Sequence, residues 1–382
     1  MTAREVNIGI IGGGLMGREI AAALQRWPAL IDHPVRPRLT AVCDIDPAAL
    51  DWFDEIDTVT TKATDYRDLL SDSSIDVVYV AVRHDLHQGI YTDVIASGKA
   101  LLAEKPFGID AAAAGAILEE IAAEPGSFVR CSSEMPFFPG AQWAIDYVRS
   151  GALGTIVEAR SSFLHSSDVD VTKPISWKRQ ARFCGEAGVL NDLGLHTWHI
   201  PLRLGWTPDQ IYAVLQNIVP ERPGPDGVLV PCDTWDNAVL HCWATHEGVR
   251  FPLTVATKRI DPGEKNTWEF EAVGLGGGVR FSTKNPKRVE VFTMADIPGI
   301  GREQAWQRLD AGSRSVWPTV TGPNFEFGFS DSILQMWAVF LAEREGLLGH
   351  RFGTARPEEA VITHEIYRAA LRSHADGAAV RL

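Results

Sequence analysis

From residue 6 to about residue 130, short apolar runs alternate with segments of helical spacing. The runs at 7–11, 39–43, 75–82, 100–103 and 127–131 are predicted strands. The segments 18–24, 88–97 and 111–123 place apolar residues three and four apart and are predicted helices. Strands that alternate with helices in this way predict a parallel, doubly wound sheet of the α/β class, with its ligand crevice at the carboxyl ends of the strands.

The pattern changes after residue 132. A helix is predicted at 140–150, a strand at 156–163, a loop through 173–187 and a second apolar helix at 188–204. The segments 211–219, 237–245, 250–260, 268–274, 278–283 and 288–294 alternate apolar and polar residues between turn formers, and read as strands. Closing helices are predicted at 329–343 and 357–373. This half is expected to be an α+β domain whose open, largely antiparallel sheet carries helices on one side. The Pro- and Gly-rich stretch 220–227 reads as a surface loop, and Gly274-Leu275-Gly276-Gly277-Gly278 as a hairpin turn, since Val279 and further strands follow it. The expected division is 1–132 and 133–382.

Composition supports this frame. A chain of 382 residues exceeds what one hydrophobic core usually organises, and its 45% hydrophobic content can fill two. The chain has no apolar stretch of about eighteen residues and no signal-peptide pattern, so it is expected to be cytoplasmic and free of the membrane. Its five cysteines form no C-x-x-C pair, and their odd number argues against a disulfide framework. A formal charge of −13 without a long basic run argues against nucleic acid as a partner.

The first strand runs into Gly12-Gly13-Gly14-Leu15-Met16-Gly17 and then a helix, which is G-x-G-x-x-G in the strand–turn–helix setting that gives it meaning. Gly12 permits the tight turn, Gly14 lets a dinucleotide pyrophosphate approach the backbone, and Gly17 lets the helix pack against the strand. The helix N-terminus, with Leu15 and Met16, offers free N–H groups to the phosphates. The second strand ends in Asp44, whose carboxylate could accept from both ribose hydroxyls and repel a 2′-phosphate, favouring NAD over NADP. As a turn former ahead of Pro47, Asp44 has a purely structural alternative.

Two further constellations could carry chemistry. Glu104-Lys105-Pro106 follows the strand at 100–103, where a lysine can donate to a substrate oxygen. Asp192 and His196 lie four apart on a predicted helix and so share a face, a carboxylate able to orient a histidine that accepts a proton near neutral pH. The same spacings suit an exposed lysine paired with Glu104 and a structural Asp–His pair. Cys184, Asp192, His196 and His199 match none of the usual zinc spacings, and no metal is expected. His199 is read as a packing or substrate-contact residue. In the preceding loop, Trp177 could offer an indole face to a sugar ring, and Lys178 and Arg179 donors to its hydroxyls.

Three separated signatures, GIIGGGLMG, SGKALLAEKPFG and GEAGVLNDLGLHTWHI, resemble in order and spacing those of the glucose–fructose oxidoreductase, inositol dehydrogenase and MocA (Gfo/Idh/MocA) family. The resemblance spans nearly the whole chain. It implies an N-terminal Rossmann dinucleotide-binding domain joined to an α+β substrate domain, a homodimer or homotetramer, and a catalytic set matching Lys105, Asp192 and His196. The implied activity is NAD(P)-dependent hydride transfer at a secondary hydroxyl of a sugar, glycoside or cyclitol. Redox-assisted glycoside cleavage and a catalytically silent dinucleotide sensor are the alternatives. The chain departs from the family pattern at Val82-Arg83, followed by His84 and by His87 at the family's usual histidine, at the reduced glycine run 185–188, and at His199, where an aspartate is often found. Arg83, His87, Glu104 and Lys105 are expected around the nicotinamide, and these departures bear on substrate identity.

Overall fold

The structure is a computed structural model that describes residues 3–312, 314–322 and 324–382. The chain divides into two compact units. The first comprises residues 1–137, 315–322 and 328–361, and the second comprises 138–314, 323–327 and 362–382. The first therefore takes in residues 328–361, a closing segment that the division at 132/133 assigns to the second domain.

In the first unit, β1 (Arg4–Ile11), β2 (Val35–Cys43), β3 (Thr61–Ala63), β4 (Val77–Val80), β5 (Ala100–Ala103) and β6 (Val129–Cys131) form one sheet in the order β3-β2-β1-β4-β5-β6. Every pairing in it is parallel. The crossovers use α1 (Leu15–Gln25), α2 (Tyr66–Ser71), α3 (His87–Ala96) and α4 (Ala111–Ala123). β4 and β5 are buried at every position, as expected of strands covered on both faces. The strand order reverses between β1 and β4, so the crevice for a ligand opens beyond the carboxyl end of β1.

The second unit begins with α5 (Pro139–Arg149) and β7 (Ile156–His165), followed by α6 (Ala181–Cys184) and α7 (Val189–Arg203). β8 (Pro208–Gln216), β9 (Glu221–Pro223), β10 (Leu229–Pro231), β11 (Asn237–His246) and β12 (Val249–Lys258) come next. They lead into β13 (Asn266–Gly274), β14 (Gly278–Ser282), β15 (Arg288–Ile297) and β16 (Gly301–Asp310). α8 (Phe329–Arg344) belongs to the first unit, α9 (Pro357–Asp376) passes from the first unit into the second, and β17 (Val380–Arg381) ends the chain.

The large sheet has nine strands in the order β16-β15-β14-β13-β7-β12-β11-β8-β17, with β7 and β12 parallel and the other neighbours antiparallel. The sheet is largely antiparallel, as expected from the sequence, and the parallel β7–β12 pair makes it mixed. α5 packs on β13, β14 and β15, and α7 on β7, β11 and β12. Phe251, Leu253 and Val255 of β12 are buried, whereas the alternate residues Thr254 and Ala256 are only part-buried. The turn at 274–278 joins β13 to β14 as expected, and the loop at 220–227 is part of the short β9–β10 hairpin. Among the described residues no helix is long and apolar enough to cross a membrane.

Candidate active site

The glycine turn is built as its spacing requires. Gly12 has φ of 105°, and a Cβ there would lie 2.2 Å from the Ala81 carbonyl oxygen; one on Gly17 would lie 2.0 Å from the Gly12 carbonyl oxygen. Both positions exclude a side chain by close packing of backbone on backbone. Gly14 differs, because no described atom lies within 4 Å of the position its Cβ would take. The open space beside Gly14, and an α1 N-terminus that no side chain caps, fit a pyrophosphate approaching the backbone. Leu15 is 76% exposed at the mouth of this turn, and Met16 is half-buried behind it.

Asp44 stands at the carboxyl end of β2. Its Oδ2 accepts from the Gly13 N–H at 2.7 Å and its Oδ1 from the Asp46 N–H at 2.9 Å. The carboxylate thus fixes both its own turn and the glycine turn. Each oxygen keeps a further lone pair, so the structural and ribose-binding roles are compatible.

Lys105 is half-buried directly beyond β5. Glu104 is not its exposed partner: this side chain is buried, and its Oε1 accepts from the Tyr79 hydroxyl at 2.7 Å. Its Oε2 faces the Lys105 backbone N–H at 3.3 Å, and its carbonyl accepts from the Tyr91 hydroxyl at 2.7 Å. His87 is fully buried, with Nδ1 2.7 Å from the Pro106 carbonyl oxygen and Nε2 3.1 Å from that of Val82. It is a strut between the turns that follow β4 and β5, and its ring stacks on Tyr91. Arg83 pairs with Asp85 through two nitrogens at 3.2 and 3.0 Å, and His84 is buried with its ring 5.3 Å from that of His87. Glu104 and His87, expected to touch the cofactor, are thus placed as supports of the Lys105 turn.

In the second unit, α7 is buried along nearly its whole length. Gly188 precedes it at φ of 55°, where a Cβ would lie 2.6 Å from the Trp235 backbone nitrogen. Gly194 lets Tyr367 pack against the helix, since a Cβ there would lie 2.1 Å from the tyrosine oxygen. These contacts explain Gly188 and Gly194 of the second signature. Asp192 and His196 lie one turn apart on α7. The Asp192 Oδ1 accepts from Lys178 Nζ at 2.9 Å and Oδ2 from an Arg259 terminal nitrogen at 2.8 Å. Arg259 also donates to the Lys178 carbonyl oxygen at 3.2 Å, which closes the group. The His196 ring meets Phe163 of β7 edge to face, and the His196 carbonyl accepts from the Trp268 indole at 2.8 Å. His199 is fully buried in the same helix.

Arg179 requires a correction. Expected to donate to substrate hydroxyls, it is only 1% exposed, forms an ion pair with Asp236 and donates to the Val219 carbonyl oxygen at 3.2 Å. Of the Trp177-Lys178-Arg179 turn, it is Lys178 that reaches Asp192, and its ammonium lies 5.6 Å from the Trp177 ring centre. Arg259, just beyond β12, is the functional candidate that sequence reasoning missed: 67 positions separate it from Asp192, and no local motif marks it.

Comparison with known proteins follows the same division. Residues 6–130 match the model of the oxidoreductase family with an NAD-binding Rossmann fold, and residues 142–279 match the GFO/IDH/MocA C-terminal domain. The chain belongs to the Gfo/Idh/MocA family. It is an NAD-binding oxidoreductase, as the open glycine turn and Asp44 lead one to expect. It is 25% identical to levoglucosan dehydrogenase of Pseudarthrobacter phenanthrenivorans over 343 residues, 85% of this chain and 82% of that one. It is 30% identical to human trans-1,2-dihydrobenzene-1,2-diol dehydrogenase over 158 residues, 41% of this chain and 45% of the relative. Among solved structures, levoglucosan dehydrogenase in complex with NADH superposes with a TM-score of 0.86 at 22% identity, with 99% of each chain covered. Family relatives are thus dehydrogenases named for sugar or diol substrates.

Proposed function

We propose that this protein oxidises a secondary hydroxyl of a sugar, glycoside or cyclitol, with Lys105, Asp192 and His196 as its working groups. The observation that carries the reading is the Asp192 carboxylate, gripped by Lys178 and Arg259 one helical turn from His196. Bound NAD supplies the hydride acceptor. Lys105 donates to the substrate oxygen and stabilises negative charge on it as the O–H bond weakens. His196 takes the hydroxyl proton, and Asp192 favours its charged form by Coulomb attraction. Lys178 and Arg259 hold that carboxylate in place by charge-assisted hydrogen bonds. Trp177 offers an apolar face to the ring of a polyhydroxylated substrate.

A panel of sugars, glycosides, inositols and vicinal diols, assayed with NAD and NADP for reduced cofactor and for cleaved product, tests the reading. Reduction of NAD in step with substrate oxidation is expected, with NADP weaker because a 2′-phosphate would meet the Asp44 charge. Asp44→Ala should narrow the preference between the two cofactors. Cleaved product without net NADH would replace dehydrogenation by redox-assisted cleavage, and tighter binding of NADP would overturn the role given to Asp44.

The open face of the nine-stranded sheet supports self-association. Tyr212, Val214, Trp243 and Trp306 on it are each 41–43% exposed, among the charged side chains of Arg160, Glu271, Arg280 and Arg308. An apolar and aromatic sheet face of this kind suits a second copy of the chain, and a homodimer or homotetramer is expected. Light scattering at micromolar concentrations should report it; a monomer throughout would refute the assignment.

A further inference from the structure

The carboxyl ends of β4, β5 and β6 hold a cluster of ionisable groups larger than the Glu104–Lys105 pair. Tyr79 comes from β4, Tyr91 from α3, Glu104 and Lys105 from the turn after β5, Cys131 from the end of β6 and Glu134 from the turn beyond it. The two turns leave the sheet side by side, the Ser132 N–H donating to the Ala103 carbonyl at 2.7 Å, and the second turn closes on itself where the Phe137 N–H donates to the Glu134 carbonyl at 3.0 Å. Tyr79, Glu104, Cys131 and Glu134 are all buried. Two buried carboxyl groups, Glu104 and Glu134, thus lie within reach of the charge of the half-buried Lys105, while the Tyr79 hydroxyl is committed to Glu104. Glu134 takes no part in the chemistry outlined above.

We propose that Glu134 is a positioning residue for Lys105, holding the ammonium as a neutral hydrogen-bonding acid and capturing it in an ion pair once ionised. The inference rests on the role given to Lys105 under the proposed function. Burial, followed by the charge of Glu104, pushes the Glu134 carboxyl up to about 7, against the pull of a backbone hydrogen bond and, after it, of the Lys105 ammonium. Below that pH the side chain is an acid: its carbonyl oxygen can accept from Lys105 without drawing the ammonium from a substrate oxygen. Above it, a second buried carboxylate competes for the same cation, and donation to the substrate weakens. Because two interacting sites affect each other equally, Lys105 must shift the titration of Glu134 as Glu134 shifts that of Lys105.

This reciprocity gives a test that needs no substrate. Infrared difference spectra of the full-length protein identify the protonated-carboxyl band that Glu134→Gln removes. In the wild type that band should disappear as pH rises through about 7. In Lys105→Met its midpoint should move upward by about one unit, because the ammonium that favours ionisation is gone, whereas Lys105→Arg should leave it nearly in place. No removable band, or an unmoved midpoint in Lys105→Met, would overturn the proposal.

The kinetic companion is the pH profile. Between about pH 6 and about pH 8.5, kcat/KM of the wild type should fall about tenfold relative to Glu134→Gln, with the two near parity at the lower end. A purely structural Glu134 would lower activity by a constant factor, and that flat ratio also counts against the proposal. Coupled titration without any sugar or diol oxidation would sink the proposed function alone. Oxidation with uncoupled titration would sink the Glu134 role alone.

Discussion

Replacing His196 with alanine is expected to lower turnover on the true substrate by about 10²-fold or more, the usual scale for losing a positioned proton acceptor. Lys105→Ala should lose a similar factor through weaker stabilisation of charge on the substrate oxygen. NAD binding should survive His196→Ala, since His196 lies on α7 and the phosphate-binding turn lies between β1 and α1. Stopped-flow turnover combined with a cofactor titration separates the two effects. The acidic limb of the profile should also change in the histidine variant, because the group that must be deprotonated to accept a proton is gone. His196→Ala with near-normal turnover and an unchanged profile would remove it as the proton acceptor and leave Lys105 as the candidate base.

What the sequence discloses about this site depends on whether the relevant contact is local. G-x-G-x-x-G is legible because its three constraints, at Gly12, Gly14 and Gly17, all act within one strand–turn–helix passage. Asp192 and His196 are legible because helical geometry alone puts them on one face. Arg179 misleads because adjacency does not fix direction: residues 177–179 form one tight helical turn, so neighbouring side chains point about 120° apart. Lys178 consequently meets Asp192, while Arg179 turns inward to Asp236. Arg259 and Glu134 are invisible for a different reason. Arg259 meets Asp192 because α7 packs on β12, and Glu134 comes near Lys105 because β6 pairs with β5, and no periodicity records either. β16 escapes notice because GREQAWQRLD, an exposed edge strand, lacks the buried alternate face that makes a strand recognisable.

Two glycine substitutions should separate fold from cofactor binding. In Gly12→Ala the new methyl would overlap the Ala81 carbonyl oxygen at 2.2 Å and occupy a backbone conformation that side chains rarely adopt. The clash is with backbone, so it cannot be relieved by a rotamer change. It would disturb the Gly12-to-Cys43 and Ala81-to-Ile11 hydrogen bonds that tie β1 to both neighbours. A loss on the order of 3 kcal/mol or more is expected, read as a lower thermal midpoint with NAD binding lost as well. In Gly14→Ala the methyl meets no described atom within 4 Å, and the unliganded protein should melt close to the wild type. It would nonetheless stand where a pyrophosphate must approach the backbone, and NAD should bind about 10²-fold more weakly, or about 2.7 kcal/mol. Calorimetric titration of a well-folded Gly14→Ala variant is therefore the sharper experiment. Wild-type affinity in that protein would mean that the pyrophosphate lies elsewhere than against Gly14, while a fall in affinity without a fall in stability would place the phosphates at this turn.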